Sequence, residues 1–168
     1  RALAKELSSA LASPLIRPYW GDDFVGNQVG AALKNVVGIA AGILDGLGWQ
    51  GLKGALMVRA PIEVGRLIRH YGGNARSAYG LAHLGDYEAT LFSPHSHNRM
   101  YGEAFARGEK FGKLAEGYYT LEAVKKISDA AGIDMPIVQA LYSAIYGGAD
   151  IKAGIQSLLE REGKGEFE

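Results

Sequence analysis

Every fourth residue from Gly26 is a glycine with one exception: Gly26, Gly30, Lys34, Gly38, Gly42, Gly46. At helical spacing, neighbouring rungs of this ladder share a face and drift by about 40° per step. A face without side chains lets another backbone, a flat ligand or a cofactor approach closely. It also disfavours the helix by about 1 kcal/mol per glycine relative to alanine. Two readings follow. In one, the ladder is a tight helix crossing with a snorkelling lysine. In the other, it is the bare wall of a site, and the Lys34 amine is its chemical tool.

The rest of the chain reads as helices around this segment. Residues 1–12 form a short amphipathic pattern with Leu3, Leu7 and Leu11 on one side. Residues 14–20, PLIRPYW, carry two prolines and β-formers and predict a short edge strand or extended connection. Asp22 or Asp23 can cap the long helix expected over 24–45, which Gly46, Gly48 and Gly51 end. A second long pattern covers 52–71, with a kink or junction expected at Pro61. Short elements follow, then a helix from Ser96 and three more over 120–131, 136–146 and 150–161. The polar tail EREGKGEFE is expected to fray. The fold class is therefore all-α, a multi-helix bundle with a short extended segment at the front. Close helix crossings are expected near Gly30 and Gly38.

Composition bounds the function. Lys plus Arg equals Asp plus Glu at 18 each, so no basic field argues for a nucleic-acid partner. Cysteine is absent, which excludes disulfides and thiolate metal sites and is consistent with a reducing compartment. The apolar run over 29–47 is interrupted by Lys34, Asn35 and Asp45, so no integral membrane segment is expected. The chain opens at Arg1 within a helical pattern, which suggests a fragment or processed product.

Several constellations can be weighed. Gly46-Leu47-Gly48-Trp49-Gln50-Gly51 matches G-x-G-x-x-G, but a helix and not a strand precedes it, so it reads as helix-ending glycines. His95 and His97 lack a carboxylate at useful spacing, and no metal site is expected. Ser96 is a good N-cap. The free N–H groups after it form an anion cradle, to which Arg99 can add a charge-assisted contact; the alternative is an ordinary capped helix with a surface arginine. Asp86, after Leu84-Gly85, is either a turn residue or a carboxylate for the Lys34 ammonium. Glu116 either caps a helix or binds a ribose.

Taken together, these segments resemble the NAD(P)-dependent glycerol-3-phosphate dehydrogenase family. Residues 25–46, VGNQVGAALKNVVGIAAGILDG, are similar to its glycine-rich helix, with Ala32-Leu33-Lys34-Asn35 and Asp45-Gly46 matching and Ala31 where glycine is common. Leu84-Gly85-Asp86 with Thr90 resembles its G-D-L-x-x-T segment, and Ser96-His97-Asn98-Arg99 its S-R-N-R segment. Ala115-Glu116-Gly117 with Thr120 resembles V-E-G-x-x-T, and Asp134-Met135-Pro136-Ile137 the M-P-I helix start. The motifs occur in the family's order over nearly the whole chain from Gly21.

The resemblance implies a C-terminal, all-α substrate domain over 21–168, similar in fold to the C-terminal domain of 6-phosphogluconate dehydrogenase. Residues 1–20 would be the end of an N-terminal Rossmann domain. It implies Lys34 as general acid/base between sn-glycerol 3-phosphate and dihydroxyacetone phosphate. Asp86, Ser96, His97 and Asn98 would bind substrate, and Asn35, Thr90 and Arg99 would support it. His97, Leu114 and Glu116 would touch the nucleotide, NAD or NADP, which the Rossmann domain would hold in the main. His97 replaces the family's usual arginine and loses its fixed charge. A cytoplasmic homodimer is expected, inactive as this piece alone. Two alternatives remain: a related two-domain dehydrogenase of another hydroxy acid or phosphate, and a non-catalytic helical interaction module.

Overall fold

A computed structural model describes residues 1–163, apart from the side chains of Glu88 and Ala89. The last five residues of the expected frayed tail lie outside the described part. The described residues form eight α-helices: α1 Ala2–Leu11, α2 Phe24–Gly46, α3 Lys53–His70, α4 Asp86–Leu91, α5 His97–Ala106, α6 Glu116–Ala131, α7 Pro136–Ile145 and α8 Ile151–Leu159. Two 3₁₀ turns, Gln50–Leu52 and Ala75–Tyr79, and a π-turn, Leu81–Gly85, connect them.

The long helix α2 is the axis of the fold. Asp23 caps it by accepting from the Gly26 N–H at 3.0 Å, and every residue from Val36 through Leu44 is buried. Such all-round burial identifies an internal helix. Its mean hydropathy of 1.3 and 23-residue length would suit a membrane span, but the segment is largely buried inside the protein. Leu33, Val37, Ile39 and Ile43 meet Leu67 and Ile68 of α3, Leu121 of α6 and Leu141 of α7 in one core. Fully burying an aliphatic side chain of this size contributes about 1.5–3 kcal/mol.

The glycine ladder is largely a set of close approaches. A Cβ on Gly42 would overlap the Arg99 carbonyl of α5, and one on Gly102 of α5 would overlap the Ile39 carbonyl in return. On Gly46 a Cβ would stand 2.7 Å from the Glu103 carbonyl. The close α2–α5 contact thus runs from Gly38 and Ile39 through Gly42 to Gly46 and is tightest at Ile39 and Gly42, beside the expected crossing at Gly38. At Gly30 the neighbour is His83, 2.9 Å from an added Cβ. Protein atoms fill the glycine rungs of the ladder, whereas the Lys34 side chain remains 27% exposed.

Three expectations are narrowed or corrected. Of the two readings of 14–20, the connection is found and the edge strand is not: a single bridge joins Ser13 and Ile16, because no second strand is present among the described residues to pair with these β-formers. Pro61 marks no junction, since α3 runs unbroken through it with the ring buried. Helix α6 begins at Glu116, four residues before the expected start, because its cap comes from another helix.

Candidate active site

Lys34 and Asp86 come together from different elements. Lys34 sits on α2, one turn after Gly30. Asp86 opens α4 directly after the π-turn. The Lys34 Nζ and an Asp86 carboxylate oxygen form a hydrogen-bonded ion pair. The side chains remain 27% and 44% exposed, so a ligand can reach both groups. Thr90 lies one turn along α4, where its hydroxyl donates to the Asp86 carbonyl at 3.0 Å.

A second polar set lies beside this pair. Asn98 is buried, and its Oδ1 accepts from the Gly117 N–H at 2.9 Å. That bond fixes the amide orientation, so Nδ2 donates to Asn35 Oδ1 at 2.9 Å. Asn35 in turn directs its Nδ2 to Glu116 Oε2 at 3.3 Å. The chain of amides ties α2, α5 and the start of α6, and Asn98 supplies the α6 cap that sequence alone did not reveal. Gly38 links the two sets: a Cβ there would stand 3.2 Å from Asn98 Cβ and 3.9 Å from Thr90 Cγ2. Each amide Nδ2 carries a second N–H beyond those used here.

Ser96 caps α5, accepting from the Arg99 N–H at 3.3 Å. The first N–H groups of such a helix have no intrahelical acceptor and favour an anion. His97, the first residue of α5, is exposed with its ring edge-on to Phe111 at 6.4 Å. Leu114 is 63% exposed and Glu116 is exposed at the same end of α6.

Arg99 follows Asn98 on α5. Its Nη1 pairs with Asp45 at 2.6 Å and Glu103 at 3.2 Å, and its Nε donates to the Ser93 carbonyl at 3.0 Å. Asp45 lies about 16 Å along α2 from Lys34 by helical rise. The Arg99 guanidinium is engaged by carboxylates of α2 and α5. Lys53 completes this network, pairing with Asp45 at 2.6 Å. A cavity of about 490 Å³ between α3, α7 and α8 contains none of the candidate residues.

These positions invite comparison with known proteins. Residues 23–156 match the family described as NAD-dependent glycerol-3-phosphate dehydrogenase C-terminus. The chain belongs to this family. Curated relatives called glycerol-3-phosphate dehydrogenase [NAD(P)+] include one from Deinococcus radiodurans, 42% identical over 99% of this chain and 52% of its own length. Another, from Thermotoga sp. strain RQ2, is 38% identical over 98% of this chain and 54% of its own. The crystal structure of glycerol-3-phosphate dehydrogenase from Coxiella burnetii shares the fold, with a TM-score of 0.84 at 32% identity over 95% of this chain and 52% of that one. The chain thus spans about half the length of the family members it matches. The all-α architecture expected from the sequence is the architecture found.

The site contains one residue that sequence reasoning missed. His83 is fully buried in the π-turn next to Asp86, and its Nδ1 lies 2.8 Å from the Gly30 carbonyl. Burial holds its pKa down, from 6.5 to about 4, against smaller opposing effects of the Gly30 carbonyl and Asp86. The sequence signal was slight: a single histidine three residues before Asp86.

Proposed function

We propose that this chain is the catalytic, substrate-binding half of a cytoplasmic glycerol-3-phosphate dehydrogenase that uses NAD or NADP and works as a homodimer. The observation that carries the reading is the ligand-accessible Lys34–Asp86 pair beside the Asn35–Asn98–Glu116 chain. Residues 21–168 are the substrate domain. Residues 1–20 are the end of a nucleotide-binding domain, a reading supported by α1, which buries no residue and leaves Leu3, Leu7 and Leu11 exposed along one face.

In this reading the Lys34 ammonium gives a proton to the carbonyl oxygen of dihydroxyacetone phosphate as that carbon is reduced. In reverse, the neutral amine removes the proton from the glycerol hydroxyl. NAD(P) supplies or accepts the hydride. Asp86 holds the ammonium in place and is available to a substrate hydroxyl. The start of α5, with Ser96, His97 and the remaining N–H of Asn98, receives the phosphate. Exposed Leu114 and the Glu116 carboxylate fit a nucleotide's apolar and hydroxyl groups, with His97 between the two ligands.

Steady-state kinetics of the full-length protein test this. Lys34→Ala should lower kcat by about 10²- to 10⁴-fold, the usual contribution of a positioned acid/base. The 168-residue chain alone should turn over neither substrate. Retained activity in the variant would overturn the assignment.

A further inference from the structure

The π-turn and the glycine ladder meet at a single buried ring. His83 packs against Gly30, where an added Cβ would come within 2.9 Å of the His83 Cβ. Its Nδ1 faces the Gly30 carbonyl at 2.8 Å. A carbonyl only accepts, so Nδ1 carries the proton and the imidazole is the neutral Nδ1–H tautomer. Nε2 is then a lone pair, and this buried atom has no hydrogen-bond partner. An orphaned buried polar atom is destabilising and calls for a compensating role.

Position suggests the role. Within α2 the Gly30 carbonyl is also the i→i+4 acceptor for the Lys34 N–H. His83 therefore bonds the peptide group directly beneath Lys34. Three residues later the chain delivers Asp86. Between them the backbone is π-helical, with the Gly85 N–H reaching the Gly80 carbonyl at 3.3 Å. Tyr87 packs edge-on against the ring at 4.7 Å and donates its hydroxyl to the Met57 carbonyl of α3 at 2.7 Å, closing the other side. The wider turn is the kind that re-aims side chains at functional sites.

We propose that His83 is a positioning residue, whose Nδ1–H pins the π-turn to the turn of α2 that presents Lys34 and so sets the Lys34–Asp86 pair. This rests on the proton-transfer role given above to Lys34. The ring acts only through Asp86 and Lys34 and touches no substrate. Its depressed pKa keeps it neutral, and the bond intact, across the neutral pH range.

Three measurements on the full-length protein test the idea. In protein carrying ¹⁵N-histidine, His83 should show a pyrrole-type Nδ1 and a pyridine-type Nε2; the opposite tautomer or a doubly protonated ring overturns the proposal. In a crystal structure of His83→Leu, the Lys34–Asp86 pair should be broken, and in His83→Asn, whose amide N–H occupies the place of Nδ1–H, it should be kept. A pair that survives His83→Leu overturns it. In kinetics, His83→Leu should lower kcat by about 10- to 100-fold, the range for displacing a catalytic group by about 1 Å, with KM little changed. His83→Asn should recover most of that loss. Equal loss in both variants would mean that the ring merely fills space, and would overturn the proposal. If the wild-type protein lacks glycerol-3-phosphate turnover, the functional reading fails instead, and the tautomer and the two crystal structures still decide the bond.

Discussion

Helix α2 carries two charged sites built from the same chemistry. Midway along it Lys34 pairs with Asp86. Near its C-terminal end Asp45 pairs with Lys53 and Arg99. The first pair is 27% and 44% exposed, whereas the second set is 9–15% exposed and flanked by Glu103 and the Phe92 ring. Residue type does not separate an accessible amine from an enclosed one here. Coverage does: where α5 seats on Gly42 and Gly46 the charges are enclosed and mutually satisfied, and at Lys34 the pair stays within a ligand's reach.

The largest effect should come from breaking the enclosed set. Asp45→Ala leaves the Lys53 ammonium and Arg99 guanidinium without their shared carboxylate. Removing one partner of a buried ion pair destabilises by about 3–5 kcal/mol. Glu103 still faces Arg99, so the lower end of that range is expected. Urea unfolding of the variant measures it. A loss as small as that of an exposed pair would remove the contrast between the two sites on α2.

Next in size is a pair of opposed pH effects from groups that neither site uses as charges. Glu63 accepts from the Ile137 N–H at 2.7 Å at the start of α7, yet burial outweighs that help and raises its pKa from 4.5 to about 7. It holds its proton more tightly when folded, so its contribution is complete below about 4.5 and is lost as pH rises through about 7. His83 holds its proton less tightly when folded. Its contribution is present above about 6.5 and is lost as pH falls through about 4. Each displacement is equivalent to about 3 kcal/mol, and between about 4.5 and 6.5 the slopes oppose one another. Against wild type, Glu63→Gln should show stability rising more steeply with pH in that window. His83→Asn should show it falling. Urea midpoints across the window check both, and parallel profiles for all three proteins would contradict the assignment.

Much of this contrast was legible in the chain, and the remainder depends on distant partners. Periodicity marked α2, and the rung spacing singled out Lys34. What filled the ladder was not legible: Gly42 needs its bare face for the Arg99 carbonyl, 57 positions away in sequence, and nothing local says so. Arg99 read either as a phosphate contact or as a surface arginine because it follows Ser96 and Asn98; its ion pair with Asp45, near the C-terminal end of α2, was not legible. The start of α6 was hidden because Ala115 offers no side-chain cap, while the Asn98 amide provides one through space. The β-forming stretch 14–20 had propensity without a partner strand, and a strand is a property of a pair. The motif order was the strongest signal for the candidate site: it named Lys34, Asp86 and Asn98 without showing that Asp86 pairs with Lys34 and Asn98 with Asn35.

Two glycines sharpen the comparison further. Gly42→Ala adds a methyl where the Arg99 carbonyl already sits, so α5 must move; overpacking of this kind destabilises by about 1–3 kcal/mol, offset by roughly 1 kcal/mol of helix propensity. Gly54 of α3 has nothing within 4 Å of an added Cβ. There the same change should stabilise by up to about 1 kcal/mol. Opposite signs in paired melting experiments would show that coverage, not glycine itself, governs the ladder; equal signs would argue against a close crossing at Gly42.

The smallest stability effect is expected at the most important residue. Lys34→Ala removes one partner of a pair whose carboxylate is 44% exposed, and exposed pairs contribute about 0–1 kcal/mol after screening. Alanine also suits a helix interior better than lysine by a few tenths of a kcal/mol. Asp86, freed of its partner, can turn to water instead of being stranded in the core. Unfolding midpoints of the variant and the wild type should therefore nearly coincide, while Asp45→Ala shifts its midpoint strongly. A loss of several kcal/mol on removing Lys34 would place the amine among the structural charges. The difference between the two sites on α2 would then be one of degree, and the drop in turnover could no longer be assigned to lost proton transfer alone.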